Sequence, residues 1–478
     1  MNGNDDRLDP DGIRNDGVSY YPADVHRLQT YEHASRVLSQ FQAPVLIHAG
    51  NPHERLYIAA FDGTGNDKLK DPQHETNVGK IDDQIEALNF SGANTQVSAG
   101  YVAGPGTQDN RLARIRDGIT GGTYDARIET MYKKFIDKAW EWKKADSQAE
   151  IRVVDLGFSR GAEQAAGFAR LVHERGIQDP SGAIYTRNAE NLITHAEYTK
   201  PPLVAPGQVA QVEGLFDAVG TGVPEKHDRR PPPSMISGFQ ILAEDERRAT
   251  FKSDHIIDPG QSTDGRFLGV TVAGAHSDVG GSYHRDGLAI RSDNLMTDYL
   301  NALSDRPFLN RQPEPDDPRL NMVHRSEQGM LIYEIDRKVD RLKPEGYNEL
   351  LVPKNAARHV SDPYNAEPRD ESLSKLFERQ PVKTGPLPGA PEHAPENQLD
   401  AWIERMYKAS QNPGNDHWDQ QLHAVAQEYL RLPDGQQFQQ QANELSRSWD
   451  VQQQATLAAQ QLEQASQQAM QQTQQFSR

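Results

Sequence analysis

A serine at position 159 sits in the run GFSRGA at 157–162, between the apolar stretch IRVVDLGF and the helix-forming stretch AEQAAGFARLVHE. Glycines two positions either side of a serine suit a strained strand-to-helix turn, because backbones packed that closely leave no room for a Cβ. Such a turn points the hydroxyl away from the sheet. It also sets the backbone N–H of Arg160 at a helix N-terminus, where developing negative charge is stabilised. The chemistry this suits is acyl transfer to a serine nucleophile, with Gly157 and Gly161 shaping the elbow. The pattern alone is weak, but the strand-like run before it and the helical run after it favour the elbow over the alternative, a glycine-rich junction carrying a surface serine.

A serine needs a base, and the base needs an orienting carboxylate; hydrolases with this elbow supply them in the order serine, acid, histidine. After Ser159, the first strand-like run ending in an acid is QVEGLFDAVGTG, which puts Asp217 at a glycine-bearing loop. The next ends in GAHSDVGGSY and puts His276 among small residues. Taken singly, Asp217 reads as a turn former and His276 as a loop histidine; their shared order and placement join them to Ser159. His173, His227, His255 and His284 compete for the role of base, but none follows a strand-like run so directly. The run FDGTGND at 61–67 adds a loop whose free backbone N–H groups suit a second oxyanion donor, with Gly63 and Thr64 the candidates. An apolar strand before D-G-T also occurs in phosphatases of the haloacid dehalogenase type. Their nucleophilic aspartate would stand two positions earlier, and here that residue is Ala60.

The elements that must position these residues read as an α/β protein: an α/β-hydrolase-like, mostly parallel central sheet flanked by helices, with insertions and a helical C-terminal extension. Four short apolar runs, LYIAAF at 56–61, IRVVDLGF at 151–158, QVEGLFDAV at 211–219 and FLGVTVAGA at 267–275, are each followed by Gly, Asp or Ser. Buried parallel strands feeding functional loops read this way. Helices are predicted at about 77–89, 124–145, 160–175 and 289–304. The division predicted is a polar N-terminal arm at 1–50 and a catalytic domain at 51–305, with insertions at about 179–207 and 224–264. A loose, partly helical extension follows at 306–400, then a helical glutamine-rich region at 401–478, where Leu457, Leu462, Ala465 and Ala469 recur at helical spacing.

Composition narrows the function classes. With 69 acidic against 51 basic residues, the net charge of −18 opposes non-specific nucleic-acid binding and adhesion to anionic membranes by overall charge. There is no cysteine, so disulfides, thiolate metal sites and a thiol nucleophile are excluded. No apolar run approaches the ~20 residues of a membrane-spanning helix. The start, MNGNDDRLDPDG, lacks the regions of a cleavable signal peptide, so synthesis in the cytoplasm and export by a route that reads no such signal is the expectation. The run PPPSMISGFQIL offers Met235, Ile236 and Phe239 as an apolar lipid entrance, if it lies at the surface; a packed loop is the alternative. The helix MYKKFIDKAWEWKK at 131–144 suits transient contact with a membrane surface, or simply a solvated outer layer.

Six motifs occur here in one order: FDGTGN, TNV at 76–78, GFSRGA, FDAVGTG, EDERRATF at 244–251 and AHSDVGGSY. Together they resemble the α/β-hydrolase domain of type VI secretion phospholipase effectors (Tle-like lipases), a group first catalogued as a domain of unknown function. The resemblance covers roughly 55–305 and implies that Ser159, Asp217 and His276 fall on the triad positions. It further implies a type A phospholipase acting as an antibacterial effector in the periplasm of target cells. Its implied partners are phospholipid substrate, a secretion-machinery component and a cognate immunity protein; no cofactor and no metal are implied. Phe216 stands where the family usually has Trp, Ser282 where it has a third glycine, and the histidine often found before DERR is absent. An esterase of small esters, and an effector whose main role is partner binding through its acidic body and glutamine-rich tail, remain alternative readings.

Overall fold

Runs of Val, Ile, Leu and Ala too short for a helix and apolar on both faces form strands that are buried on both sides. In the computed structural model, which describes residues 7–91, 94–107, 123–328 and 337–385, they build a seven-stranded sheet. Its members are β1 (Glu54–Phe61), β2 (Val97–Val102), β3 (Glu150–Phe158), β4 (Gln211–Phe216), β5 (Met235–Ala243), β6 (Gly260–Gln261) and β7 (Phe267–Val272). The order across the sheet is β6-β7-β5-β4-β3-β1-β2, and every pair is parallel except β6 with β7.

Alternation along each strand divides the core in two. Leu56, Ile58 and Ala60 of β1 face one side, where α1 (Val25–Gln40), α2 (Asn77–Ser91) and the later helix Gly287–Asn301 pack. Tyr57, Ala59 and Phe61 face the other, against α3 (Tyr124–Ala145) and α4 (Arg160–Arg175). The short α5 (His276–Gly280) follows β7, and Gly287–Asn301 is α6. Register brings Phe61 beside Gly157, Phe158 beside Phe216, Phe216 beside Ile241 and Ala243 beside Val272. The carboxyl ends of five strands therefore reach one edge together, which is where a parallel sheet presents a site.

Three expectations need correction. The stretch 224–264 is not an insertion, since β5 runs through its middle and every residue of β5 is buried. Small and polar residues hide that strand in the sequence. Gly238 leaves room for Ile257 and Phe267, and Gln240 is satisfied inside the protein by the Asp254 carbonyl and the Ile257 N–H. The arm at 1–50 is not merely polar: Tyr31, Ala34, Leu38 and Phe41 enter the main core. The residues after 305 are not loose where they are described. Met322–His324 pairs with Tyr20–Pro22, Tyr347–Asn348 with Ser253–Asp254, and Arg379–Pro381 with Gln42–Pro44.

The stretch 179–207 carries a two-stranded hairpin, Ile184–Arg187 with Ile193–Glu197, outside the main sheet. The chain divides into units Met1–Pro388 and Gly389–Arg478. The helix expected around Leu457, Leu462, Ala465 and Ala469 lies outside the described residues. Among the described residues no helix is long and apolar enough to cross a membrane.

Candidate active site

Ser159 stands between β3 and α4 at φ 60°, ψ −128°, a conformation non-glycine residues rarely adopt. The turn is forced by its neighbours. A Cβ on Gly157 would lie 2.5 Å from the Gly161 carbonyl, and one on Gly161 would lie 2.3 Å from that of Phe61. The Ser159 N–H donates to the Phe216 carbonyl at 3.0 Å, which ties the elbow to β4. Ser159 is only 3% exposed.

Asp217 follows β4 directly and also has a positive φ, 39°. His276 opens α5 immediately beyond the β7 loop. The structure brings the three together: Ser159 Oγ lies 2.7 Å from His276 Nε2, and His276 Nδ1 lies 2.5 Å from Asp217 Oδ2. With Asp217 ionised, this network assigns the proton of the imidazole to Nδ1 and leaves Nε2 to accept from the serine. Phe158 and Phe251 hold the ring, with centroids 4.6 and 5.1 Å away.

Electrostatics suit that assignment. Burial lowers the His276 pKa, although Asp217 pulls it up, so the imidazole is neutral at pH 7. Burial also works against the Asp217 charge, but the Arg341 guanidinium and the His276 hydrogen bond outweigh it and hold the carboxyl well below its ordinary range. Neutral base, ionised acid and hydroxyl stand in line, as proton transfer from serine requires.

Arg160 is the first residue of α4, so its N–H stands at the helix N-terminus beside Ser159. Gly63 does not fit its expected role, because its N–H donates to the side chain of Asp62 at 2.7 Å. That carboxyl also accepts from Thr76 Oγ1, and burial raises its pKa to about 6. Thr64 Oγ1 is buried without a hydrogen-bond partner among the described residues. The loop lies against the elbow, since a Cβ on Gly63 would touch the Phe158 ring.

The rival histidines are engaged elsewhere. His173 Nδ1 is 2.9 Å from Ser234 Oγ, His227 stacks on Tyr124, His255 stacks on Tyr347, and the His284 ring packs against His74. The expected lipid entrance is overturned: Met235, Ile236 and Phe239 are fully buried in β5. Every residue of β5, which lies between β4 and β7, is buried, so the strand offers no surface. In α3, Met131, Phe135 and Trp142 are buried, while Lys133 and Lys138 pair with Asp137 and Glu141 of the same helix.

Two features escaped the sequence. Arg341 forks onto both oxygens of Asp217, at 2.8 and 3.1 Å, and nothing in its local run DRLKPEG marks it. Glu246 of the EDERRATF run is fully buried, is bonded by Arg248, and accepts from the His276 N–H at 3.4 Å. The motif was visible; its role beneath the histidine was not. One group of carboxylates among the described residues, Asp82, Asp83 and Glu86, brings its oxygens within 4.8 Å of one another. Lys68 Nζ already sits among them, at 2.5, 2.5 and 3.1 Å, and balances their charge.

A family model described as "T6SS, Phospholipase effector Tle1-like, catalytic domain" matches residues 55–308, just over half of the chain. No curated protein matches. Among solved structures, an uncharacterized protein from Pseudomonas aeruginosa is similar at 16% identity over 84% of this chain and 65% of its own, with a TM-score of 0.32. The Tle1 effector bound to the VgrG spike of the Type 6 secretion system is similar at 20% identity over 51% and 57%, with a TM-score of 0.29. An acetylxylan esterase is similar at 11% identity over 52% and 97%, with a TM-score of 0.22. The chain thus spans less than two thirds of the length of the first two.

Proposed function

The chain belongs to the Tle1-like phospholipase effectors of the type VI secretion system, and on that premise we propose a serine esterase that cleaves carboxylic esters of membrane phospholipids. The observation that carries the mechanism is the hydrogen-bonded line from Ser159 through His276 to Asp217 at the carboxyl edge of the sheet. His276 Nε2 takes the serine proton as Oγ attacks the ester carbonyl. Asp217 holds the Nδ1 proton and stabilises the imidazolium that forms. The Arg160 N–H and the Thr64 region of the 61–67 loop face the developing oxyanion, and losing one such donor costs about 2.7–4 kcal/mol. His276 then returns its proton to the leaving alcohol, and water, activated by the same base, hydrolyses the acyl-enzyme.

The product set is a fatty acid and a lysophospholipid, the type A outcome. Delivery by a secretion component, action in the periplasm of a target cell and restraint by an immunity protein belong to the same reading. The test is lipid analysis of mixed phospholipid vesicles exposed to the protein and to Ser159→Ala. Fatty acid should appear with the first and not the second, while the variant stays folded, because the substitution removes one hydroxyl with a single side-chain bond among the described residues, to His276. Triad serine loss costs on the order of 10⁶ in turnover, so a variant retaining more than about a tenth of wild-type activity would sink the proposal. Short acyl esters run in parallel separate a phospholipase from a small-ester esterase.

A further inference from the structure

The carboxylate of Asp217 is more heavily bonded than orienting a histidine requires. Its Oδ1 accepts from the Ala243 N–H at 2.9 Å and from Arg341 Nη1 at 2.8 Å; its Oδ2 is shared between His276 and Arg341 Nη2. Arg341 also bonds the carbonyls of Ala243 and Phe251, at 3.4 and 2.5 Å. Phe251 is the ring set edge-on to His276. One guanidinium thus ties the acid, the β5 end that supports it and the aromatic wall of the base. Arg341 and Asp217 are both buried, and a planar fork is the cation best matched to a carboxylate there.

The segment carrying Arg341 is itself anchored. The Val339 N–H donates to the Arg247 carbonyl, and the Gly346 carbonyl accepts from the Ser253 N–H. Asn348 bonds Asp254, and the Leu350 carbonyl accepts from Arg229. Arg229 in turn pairs with Glu163 in the first turn of α4, four residues after Ser159. All of these positions in 337–351 lie beyond the 55–308 span matched by the catalytic-domain model.

We infer that Arg341 is a positioning residue of the catalytic centre, supplied by the C-terminal extension, and that the family's catalytic domain is incomplete in this chain without it. The inference rests on the serine-esterase reading. Arg341 touches no reacting atom; it acts by holding Asp217 in the plane that His276 needs and by offsetting part of its charge. The charged groups facing His276 are Asp217, Glu246 and Arg248, with Arg341 behind Asp217. Removing that cation exposes the imidazole to a less compensated carboxylate and favours the imidazolium, which is not a base.

The experiment measures kcat, KM and the pH profile of kcat/KM on a soluble short-chain ester for the full chain and for Arg341→Ala, Arg341→Gln and Arg341→Lys. Rates are expressed per site titrated with a phosphonate probe, so unfolded protein does not count. Arg341→Ala and Arg341→Gln should lose kcat on the order of 10–100-fold with little change in KM, as expected when a reacting group is misplaced by a fraction of an ångström. Their acid limb should move up by about one pH unit. Arg341→Lys, which keeps the charge without the fork, should hold the limb near wild type and recover only part of kcat. Lost titratable sites with wild-type kcat and an unmoved limb at the remainder would assign Arg341 a purely structural role and overturn the inference. So would wild-type behaviour throughout. Ser159→Ala is measured alongside: activity there removes the serine reading itself, whereas an inactive Ser159→Ala beside normal Arg341 variants removes only the role of Arg341.

Discussion

Ser159 and Asp217 both stand at positive φ, where a side chain costs about 1–3 kcal/mol and persists only because the surroundings impose it. Here glycines on one side and ladder bonds on the other do so, and strain is held where geometry matters. Because members of such a line act as a unit, Ser159→Ala/His276→Ala should be no slower on a soluble ester than either single variant. Losses that multiply would mean that His276 is not the base. Asp217→Asn should lower kcat by about 10³–10⁴ through the wrong tautomer. It should also destabilise the fold in urea by roughly 3–5 kcal/mol, because the buried Arg341 cation is left without its anion. The sign of the pH dependence follows from burial. His276 must be neutral to accept a proton, and its pKa is lowered, so the acid limb of kcat/KM should lie below the usual histidine value of about 6.5. A limb above that value would contradict the geometry.

At the scale of elements, β5 and the loop of α5 carry distinct consequences. Phe239 lies fully buried in β5 against Tyr299, with ring centroids 5.5 Å apart. Phe239→Asp should therefore lower the melting temperature and impair lipid and soluble-ester hydrolysis alike, since losing a buried Phe alone costs about 3–5 kcal/mol. A selective loss on lipid, with normal melting, would return Phe239 to the surface. The α5 loop is latched by His324, buried between Asp278, two residues after His276, and Asp16 of the N-terminal segment. Burial opposes its charge, but the two carboxylates raise its pKa to about 9. A folded-state pKa above the unfolded value of about 6.5 means stability that is fully present below pH 6.5 and lost as pH rises through about 9. Urea midpoints measured across that window should fall more steeply for the wild type than for His324→Gln, because the buried carboxyls of Glu163 and Glu213, raised to about 8, give both the same background slope. Parallel slopes would show that the latch is not what titrates.

For the whole molecule, the described residues on either side of the 55–308 span are bonded to the elements that carry the site. Arg285, fully buried, bonds Asp9 and Asp11 and lies over Tyr20, while the His284 N–H donates to Asp16. Tyr31 Oη reaches the Ala273 carbonyl just before the histidine loop. A chain ending near 308 would lose Arg341, the carbonyl partners of Arg229 at 350 and 351, and the strand partners of Tyr20–Pro22 and Gln42–Pro44. It should give no active enzyme on a soluble ester. A chain ending at 388, the boundary of the first unit, should retain that activity. Activity in the shorter chain would refute the dependence on the extension.

What the sequence by itself determined is whatever short-range sterics and strand-end order encode. Gly157 and Gly161 are readable because the elbow needs both within five residues, and Asp217 and His276 because each closes an apolar run at a loop. The β5 strand was not legible, since Gly238 and Gln240 break its apolar run and only their partners at 254, 257 and 267 make them compatible with burial. Commitment of the Gly63 N–H to Asp62 depends on how that buried carboxyl is held by Thr76, and spacing does not reveal it. Pairings of two or three residues, such as Tyr347–Asn348 with Ser253–Asp254, are too short to leave a period. Arg341 reaches Asp217 across 124 positions of chain. Its place was decided only by tertiary structure, because a buried ion pair is recognised by the geometry of two distant segments and by no pattern within either.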